Sequence, residues 1–422
     1  MNTGACPEAQ AAGLSRRALL ANLLAAGAGG MVLASSDDVF ATAAFGATVG
    51  GNVVVVLSQR GGADGLSLVV PHGDKNYYTQ RPTTAIPKAQ VIGLDSMFGL
   101  HPSLQPLYSL WTSQKLAVVH AAGLPATNRS HFDAMAQLEQ AAPGSSIRTG
   151  WINRMVGAQT APTATNAVQM GGDGMPWSLR GTAPVLGLRE MGQLGWPAAV
   201  TANSYWLPRF QNAYKSLWDG YSGVGGSGAG AAFIAQSRLS PVSTAYNPAN
   251  GAVYGGDSLA LALRNAAQLI KANVGARVVT IDHGDWDMHV NIGTLASGLL
   301  KDHAAEFAKA LSAFVTDLGT TMSRVTIVVL SEFGRRVAEN GDKGADHGWG
   351  GVIWAIGAGV HGGKVYGRWP TLAPSALTNG DLTVTTDYRH VLAELLTYRL
   401  NANVSTVLPN FKPVRLGMIG AI

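Results

Sequence analysis

One cysteine, Cys6, is all that the sequence offers for disulfide chemistry, and it lies ahead of the first recognisable strand. Stability therefore has to come from packing, or from a bound ion, rather than from cross-links. Charge is also scarce. Only 13% of the 422 residues are Asp, Glu, Lys or Arg, and no basic run interleaves with aromatics, which argues against a nucleic-acid partner. Long apolar runs are missing too: the stretch "LSRRALLANLLAAGAGGMVLASS" is broken by glycines and is short for a membrane-spanning helix, so no permanent span is expected. No internal repeat is evident. What is plentiful is apolar side chain, 47% of the whole, enough to bury a large core in one big domain or two smaller ones.

In that first apolar stretch Arg16 and Arg17 precede the hydrophobic part, and "FATAA" follows it with an A-x-A site at Ala41–Ala43. This is the layout of a twin-arginine export leader. It makes residues 1–43 a signal peptide and 44–422 the mature domain, with the twin-arginine translocase as partner and a periplasmic or secreted destination. Cleavage removes Cys6 together with two basic residues (Arg16, Arg17) and three acidic ones (Glu8, Asp37, Asp38), so the formal charge of +5 becomes +6. Export in the folded state suits a site assembled, or a cofactor loaded, before translocation.

The mature part alternates strand and helix. "NVVVVLS" (52–58) is a continuous β-branched run of the kind buried on both faces in a parallel sheet, and "KLAVVHAAG" (115–123) is a second. A helix opens near Ser130, which reads as its N-cap with Asp133 three residues on. There follow a helix over 257–273, a strand over 277–281, a long helix near 294–319, strands over 324–330 and 351–357, and a helix over 386–400. Residues 160–255 are less regular, and "GYSGVGGSGAGAA" (220–232) within them reads as a joint in an inserted cap. The expected fold is α/β: a doubly wound, mostly parallel sheet with an irregular cap insertion.

In such sheets ligands bind beyond the carboxyl ends of the strands, where the loops converge. Polar clusters fall at those ends: Arg60 and Asp64 after the first strand, Asn128 to His131 after the second, "IDHGDWDMH" (281–289) on the third, and "SEFGRR" (331–336) after the fourth. A fifth, "GADHGWGG" (344–351), immediately precedes the last strand instead. In an extended chain Asp285, Asp287 and His289 project to one side at period two, whereas a helical turn pairs Asp285 with His289. Either arrangement presents carboxylate and imidazole to one divalent ion, and the alternative is a solvated loop with turn and capping bonds. Asp282 and His283 fit that second role. Asp346 and His347 are a second contribution to the ion, and Glu332, directly beyond a buried strand, needs a metal or Arg335 as partner.

Taken in order, "RGGADGLSLVVPHGDKNYYTQRPTTAIP", "FGLHPSL", "LAVVHAAG", "RSHFDAM", "GWIN", "DWDMH", "SEFGRRVAENGDKGADHGWGGVIWAIGAGVHGGKVYG" and "DYRHVLAELL" resemble the twin-arginine-exported bacterial family of unknown function DUF1501, itself a distant relative of the alkaline phosphatase and sulfatase superfamily. The stretches span nearly all of the mature chain. The resemblance implies an alkaline phosphatase-like sheet with a one- or two-metal centre at its carboxyl edge, and a nucleophile capping a helix. Carried residue by residue, it makes Asp64, Asp285 or Asp287, His289, Glu332 and His347 ligands and Ser130 the nucleophile. It also departs from the superfamily: Glu332-Phe333 stands where Asp-His is usual, so one imidazole ligand is missing.

If the centre is active, the expected chemistry is hydrolysis of an anionic small-molecule or glycan ester, phosphate or sulfate, with zinc, manganese or calcium as cofactor. Arg60, Arg129 and Arg335 are candidates to clamp the anion, and His131 to carry protons. Ser130 is equally well explained as an N-cap. Two other readings remain open: a non-catalytic envelope or ligand-binding protein that keeps the fold and one structural ion, and a metal-dependent isomerase or mutase. Tyr77, Tyr78, Trp349 and Trp369 read as packing groups or as the walls of a sugar or aryl pocket.

Overall fold

The computed structural model describes residues 51–172, 174–191 and 245–421, with isolated positions 31, 32, 209, 212, 235 and 239. The expected leader (1–43) and the glycine-rich joint (220–232) therefore lie outside the described residues, save for positions 31 and 32.

The central sheet is built from β1 (Val53–Gln59), β2 (Leu116–Gly123), β3 (Ala167–Met170), β4 (Leu186–Leu188), β5 (Val278–His283), β6 (Val325–Leu330), β7 (Gly351–Gly357), β8 (Lys364–Tyr366) and β9 (Thr386–Asp387). Their spatial order is β4-β3-β5-β1-β6-β7-β2-β8, with β9 also pairing β2 and Met31–Val32 adding to β4. All pairings among β1–β9 are parallel except those of β7, which runs antiparallel to both β6 and β2.

β1 shows why the order holds. All seven of its residues are buried, and they alternate: Val53, Val55 and Leu57 enter one core, Val54 and Val56 the other. A strand apolar on both faces is stable only between two layers of helix. The first layer holds α3 (Ser258–Ala272) and α4 (Leu299–Leu318). α3 is capped by Asp257, whose Oδ1 accepts from Ala260 N at 2.8 Å, and stops at Asn273 in the left-handed region. The second layer holds α1 (His131–Gln140), α2 (Trp151–Gly157) and α5 (Arg389–Glu394). The expected doubly wound, mainly parallel α/β sheet is what the chain forms.

Two stretches depart from expectation. Residues 160–255 are not irregular throughout, since β3 and β4 lie within them and carry the parallel sheet to its edge. The apolar runs there are only four and three residues long, too short to announce themselves between glycines and prolines. The last helix does not begin at 386 either. Thr386 and Asp387 first pair with Ala122 and Gly123, α5 then starts at Arg389, and the chain continues as a π-turn over Leu395–Arg399. Asp387 makes the switch by accepting from Arg389 N at 2.9 Å.

β7 does most to shape the carboxyl edge of the sheet. Because it is antiparallel, its first residue lies level with the last residues of β2 and β6: Gly351 pairs Ala122, and Trp354 pairs Val329. The segment that precedes β7 is thereby delivered to the same edge as the segments that come after β1, β2, β5 and β6.

A candidate metal centre at the carboxyl edge

Beyond β6 the chain passes through Ser331 and Glu332 and then zips against the segment leading into β7. Gly334 N donates to Trp349 O at 2.9 Å, Gly348 N to Gly334 O at 2.8 Å, and Arg336 N to Asp346 O at 2.9 Å. Arg335 and His347 form the bridge between them. The glycines are required by closeness: a Cβ on Gly348 would collide with the Arg335 backbone, and one on Gly344 with His289 O. Beyond β5 burial alternates, with Trp286 and Met288 buried, Asp287 exposed and His289 half-buried. α1 begins at His131, and its N-cap Ser130 accepts from Asp133 N at 3.4 Å.

These three segments bring three imidazoles to one point. His347 Nε2 lies 2.9 Å from His131 Nε2 and 2.8 Å from His289 Nε2. Asp287 Oδ1 is 3.0 Å from His289 Nε2 and 3.3 Å from His347 Nε2, and its Oδ2 is 3.4 Å from His131 Nε2. Ligand atoms of His131, Asp287 and His347 all fall within 4.8 Å of one another, and His289 joins them through its contacts with His347 and Asp287.

The opposite nitrogens explain the protonation. His131 Nδ1 meets Glu332 Oε1 at 2.7 Å, His289 Nδ1 meets Asp346 Oδ1 at 2.9 Å, and His347 Nδ1 meets Arg129 O at 2.8 Å. A carbonyl or an ionised carboxylate only accepts, so each Nδ1 carries the hydrogen and donates it. Each ring thus turns its Nε2 to the common point, where a bound cation would satisfy all three nitrogens. A histidine whose remote N–H is held by carboxylate or carbonyl is the usual form of a metal ligand.

Charge is tuned to match. Burial acts to raise the Asp287 carboxyl, but the hydrogen bond and charge of Arg335, 2.6 Å away, outweigh it and hold it below the usual carboxylate range. Bonds from His289 and Asn340 depress Asp346 likewise. Burial lowers His347. A depressed carboxyl at Asp287 and a depressed imidazole at His347 both favour the forms in which such groups bind metal. Asp287 is 47% exposed at the side chain, so the point opens to solvent.

The other residues singled out in the sequence fall elsewhere. Asp64 is buried and gives both oxygens to Arg81, at 2.5 and 3.0 Å. Arg81 in turn donates to the carbonyls of Arg336 and Val337, both at 2.9 Å. Glu332 stands behind His131, accepting from Gly61 N at 2.8 Å and Ser331 Oγ at 3.0 Å, and Asp346 stands behind His289. Asp285 is exposed at a left-handed backbone position (φ 63) and takes no part in the cluster. Ser130 is exposed beside it. Asp282 is paired with Arg60 at 2.8 Å, and His283 accepts from Trp286 Nε1 at 3.2 Å.

His131, expected from the sequence as a proton carrier, places its Nε2 at the same point as the other two imidazoles. Both of its nitrogens are in contact with neighbours, Nδ1 with Glu332 and Nε2 with His347. Asn340 was not anticipated: it donates to His289 O at 2.8 Å and to Asp346 Oδ1 at 3.0 Å, and no spacing rule marks it in the sequence. Of the aromatics, Tyr77 is fully buried, and Trp349 and Trp369 donate to Leu124 O at 2.9 Å and Asp74 Oδ2 at 3.3 Å.

A mainly parallel α/β domain with a histidine-rich candidate metal centre at its carboxyl edge is the class these features define. The chain belongs to the family described as Protein of unknown function (DUF1501), which matches residues 96–403. No curated protein matches it. Solved structures similar to it include the C-terminal periplasmic domain of EcEptC from Escherichia coli, 10% identical over 86% of this chain and 88% of that one at a TM-score of 0.35. Others are the lipoteichoic acid synthase LtaP from Listeria monocytogenes (10%; 81% and 76%; 0.30) and alkaline phosphatase from the Antarctic bacterium TAB5 (11%; 73% and 92%; 0.28). Likeness at this level carries no inference about reaction or substrate. Among the described residues no helix is long and apolar enough to cross a membrane.

Proposed function

We propose that this chain is an exported, metal-dependent hydrolase of phosphate or sulfate esters, its metal held by His131, His289, His347 and Asp287. The observation that carries the reading is the set of three Nε2 atoms within 2.8–2.9 Å contacts, each on a ring whose Nδ1–H is already given to an oxygen. Imidazole with one carboxylate suits zinc or manganese better than calcium, which prefers six to eight oxygens. When bound, such an ion polarises an ester oxygen and lowers the pKa of water.

The chain's own groups do the rest. Glu332, Asp346 and the Arg129 carbonyl keep hydrogens on the three Nδ1 atoms, and Arg335 fixes the Asp287 carboxylate. Ser130 offers an exposed hydroxyl one residue from His131, held only by a long capping bond of 3.4 Å that is cheap to release. Export follows from the leader sequence, and the cleavable segment ends at Ala43 in this reading.

One feature of the site favours a second reading, a structural ion. Four protein donors, three imidazoles and one carboxylate, are the number that would hold a zinc serving only as a staple. Metal analysis of the purified protein, with a screen of phosphate and sulfate monoesters and diesters in zinc, manganese and calcium, separates the two. We expect stoichiometric metal and turnover in wild type, loss of metal in His289→Ala and His347→Ala, and loss of turnover with metal retained in Ser130→Ala. Stoichiometric metal without turnover establishes the staple, and turnover surviving in Ser130→Ala makes water the attacking group.

A further inference from the structure

Four arginines border the cluster, and they are not equivalent. Arg60 spans two carboxylates, Glu139 at 2.7 Å and Asp282 at 2.8 Å, so its charge is more than neutralised. Arg335 is spent inside the fold, on Asp287 at 2.6 Å and on the carbonyls of Gly61, Gly62, Trp286 and Ala345, with 1% of its side chain exposed. Arg129 and Arg336 differ from both. They share one carboxylate, that of the fully buried Asp381. Arg129 donates to Asp381 Oδ2 from Nη2 at 2.6 Å and from Nε at 3.1 Å. Arg336 Nε stands 3.7 Å from Oδ1, which accepts no hydrogen bond. Two cations on one anion leave a positive charge at the surface, on side chains 37% and 39% exposed.

We propose that Arg129 and Arg336 are the anion clamp of the site, taking the non-bridging oxygens of a phosphate or sulfate group that faces the histidine cluster. This rests on the ester-hydrolase reading above; of Arg60, Arg129 and Arg335, the three arginines considered from the sequence, it keeps Arg129 and adds Arg336. Both arginines are tied by their backbones to the cluster. The Arg129 carbonyl accepts from His347 Nδ1 at 2.8 Å, and Arg336 N donates to Asp346 O at 2.9 Å. The Arg336 carbonyl is fixed from beneath by Arg81, at 2.9 Å, and Arg81 by Asp64. The Arg336 fork is further oriented by Asn379 O at 2.9 Å. Guanidiniums so held lose little freedom on gripping a tetrahedral oxyanion, and their planar donor sets match its oxygens in pairs. Asp64 thus serves the site by fixing the clamp.

The test is calorimetric titration of the zinc-loaded, full-length protein with inorganic phosphate and, separately, inorganic sulfate, with zinc content measured on each sample. Arg336→Gln is the main variant because it leaves Asp381 paired with Arg129 and so preserves the buried ion pair. Phosphate affinity at least about tenfold weaker in Arg336→Gln, at unchanged zinc content and with partial recovery in Arg336→Lys, supports the clamp. Wild-type phosphate affinity in Arg336→Gln overturns it, and so does a zinc-loaded wild type that binds neither anion, with the metal site left standing. A wild type that holds no zinc removes the metal reading and the clamp with it.

Discussion

At the scale of single residues the site separates groups that meet the common point from groups that hold those groups. Asp287 faces the cluster, whereas Glu332 and Asp346 face the far nitrogens of His131 and His289. All three are acidic residues at strand ends, so the sequence could bring them to one edge but could not say which oxygen looks inward. Asp64 makes the same point more sharply. The family resemblance makes it a ligand, yet both of its oxygens lie on the buried Arg81. Removing one partner of a buried pair strands the other charge, at a cost of about 3–5 kcal/mol. Asp64→Asn is therefore expected to lower unfolding stability by that order in denaturant titration. Metal per folded molecule should stay at the wild-type level, and its loss without a stability change would return Asp64 to the ligand set.

At the scale of elements, β1, β2, β5 and β6 were legible because each carries a buried stretch rich in Val, Ile and Leu. Their neighbours were not, since direction within a sheet leaves no mark on a run such as "GVIWAIG". The antiparallel course of β7 is what turns "GADHGWGG" from a segment before a strand into a segment at the carboxyl edge of the sheet. That segment is held against the His289 and Arg335 segments by close backbone contact, which Gly344 and Gly348 permit. Gly344→Ala would force its methyl group into His289 O and push that backbone away. The expected result is a folded protein with a lower zinc affinity, read by competition with a coloured chelator. Wild-type affinity would show that the 344–350 zipper is not what aligns His289 with His347.

At the scale of the whole molecule, buried histidines tie stability to pH. Four histidines lie buried outside the cluster, His72, His101, His120 and His283, and three of them accept hydrogen bonds at a ring nitrogen. His101 accepts from Ser103 N at 3.1 Å, His120 accepts from Ala121 N at 2.9 Å, and His283 accepts from Trp286 Nε1 at 3.2 Å. Burial pushes His101 and His120 down to about 4 and His283 to about 3, from an ordinary value of 6.5. Between 6.5 and about 4 the unfolded chain therefore binds protons that the folded chain refuses, and stability falls as pH falls through that window. Each proton taken up on unfolding contributes a slope of about 1.4 kcal/mol per pH unit. Denaturant titrations of chelator-treated protein at pH 7, 6 and 5, where ligand loss from the metal cluster plays no part, should show stability dropping with a slope of up to about three protons. His120→Gln, whose side-chain amide does not titrate, should flatten that slope by about one proton. A stability that is level from pH 7 to 5 would mean that these imidazoles are as free to protonate in the fold as out of it, against the hydrogen bonds their ring nitrogens accept.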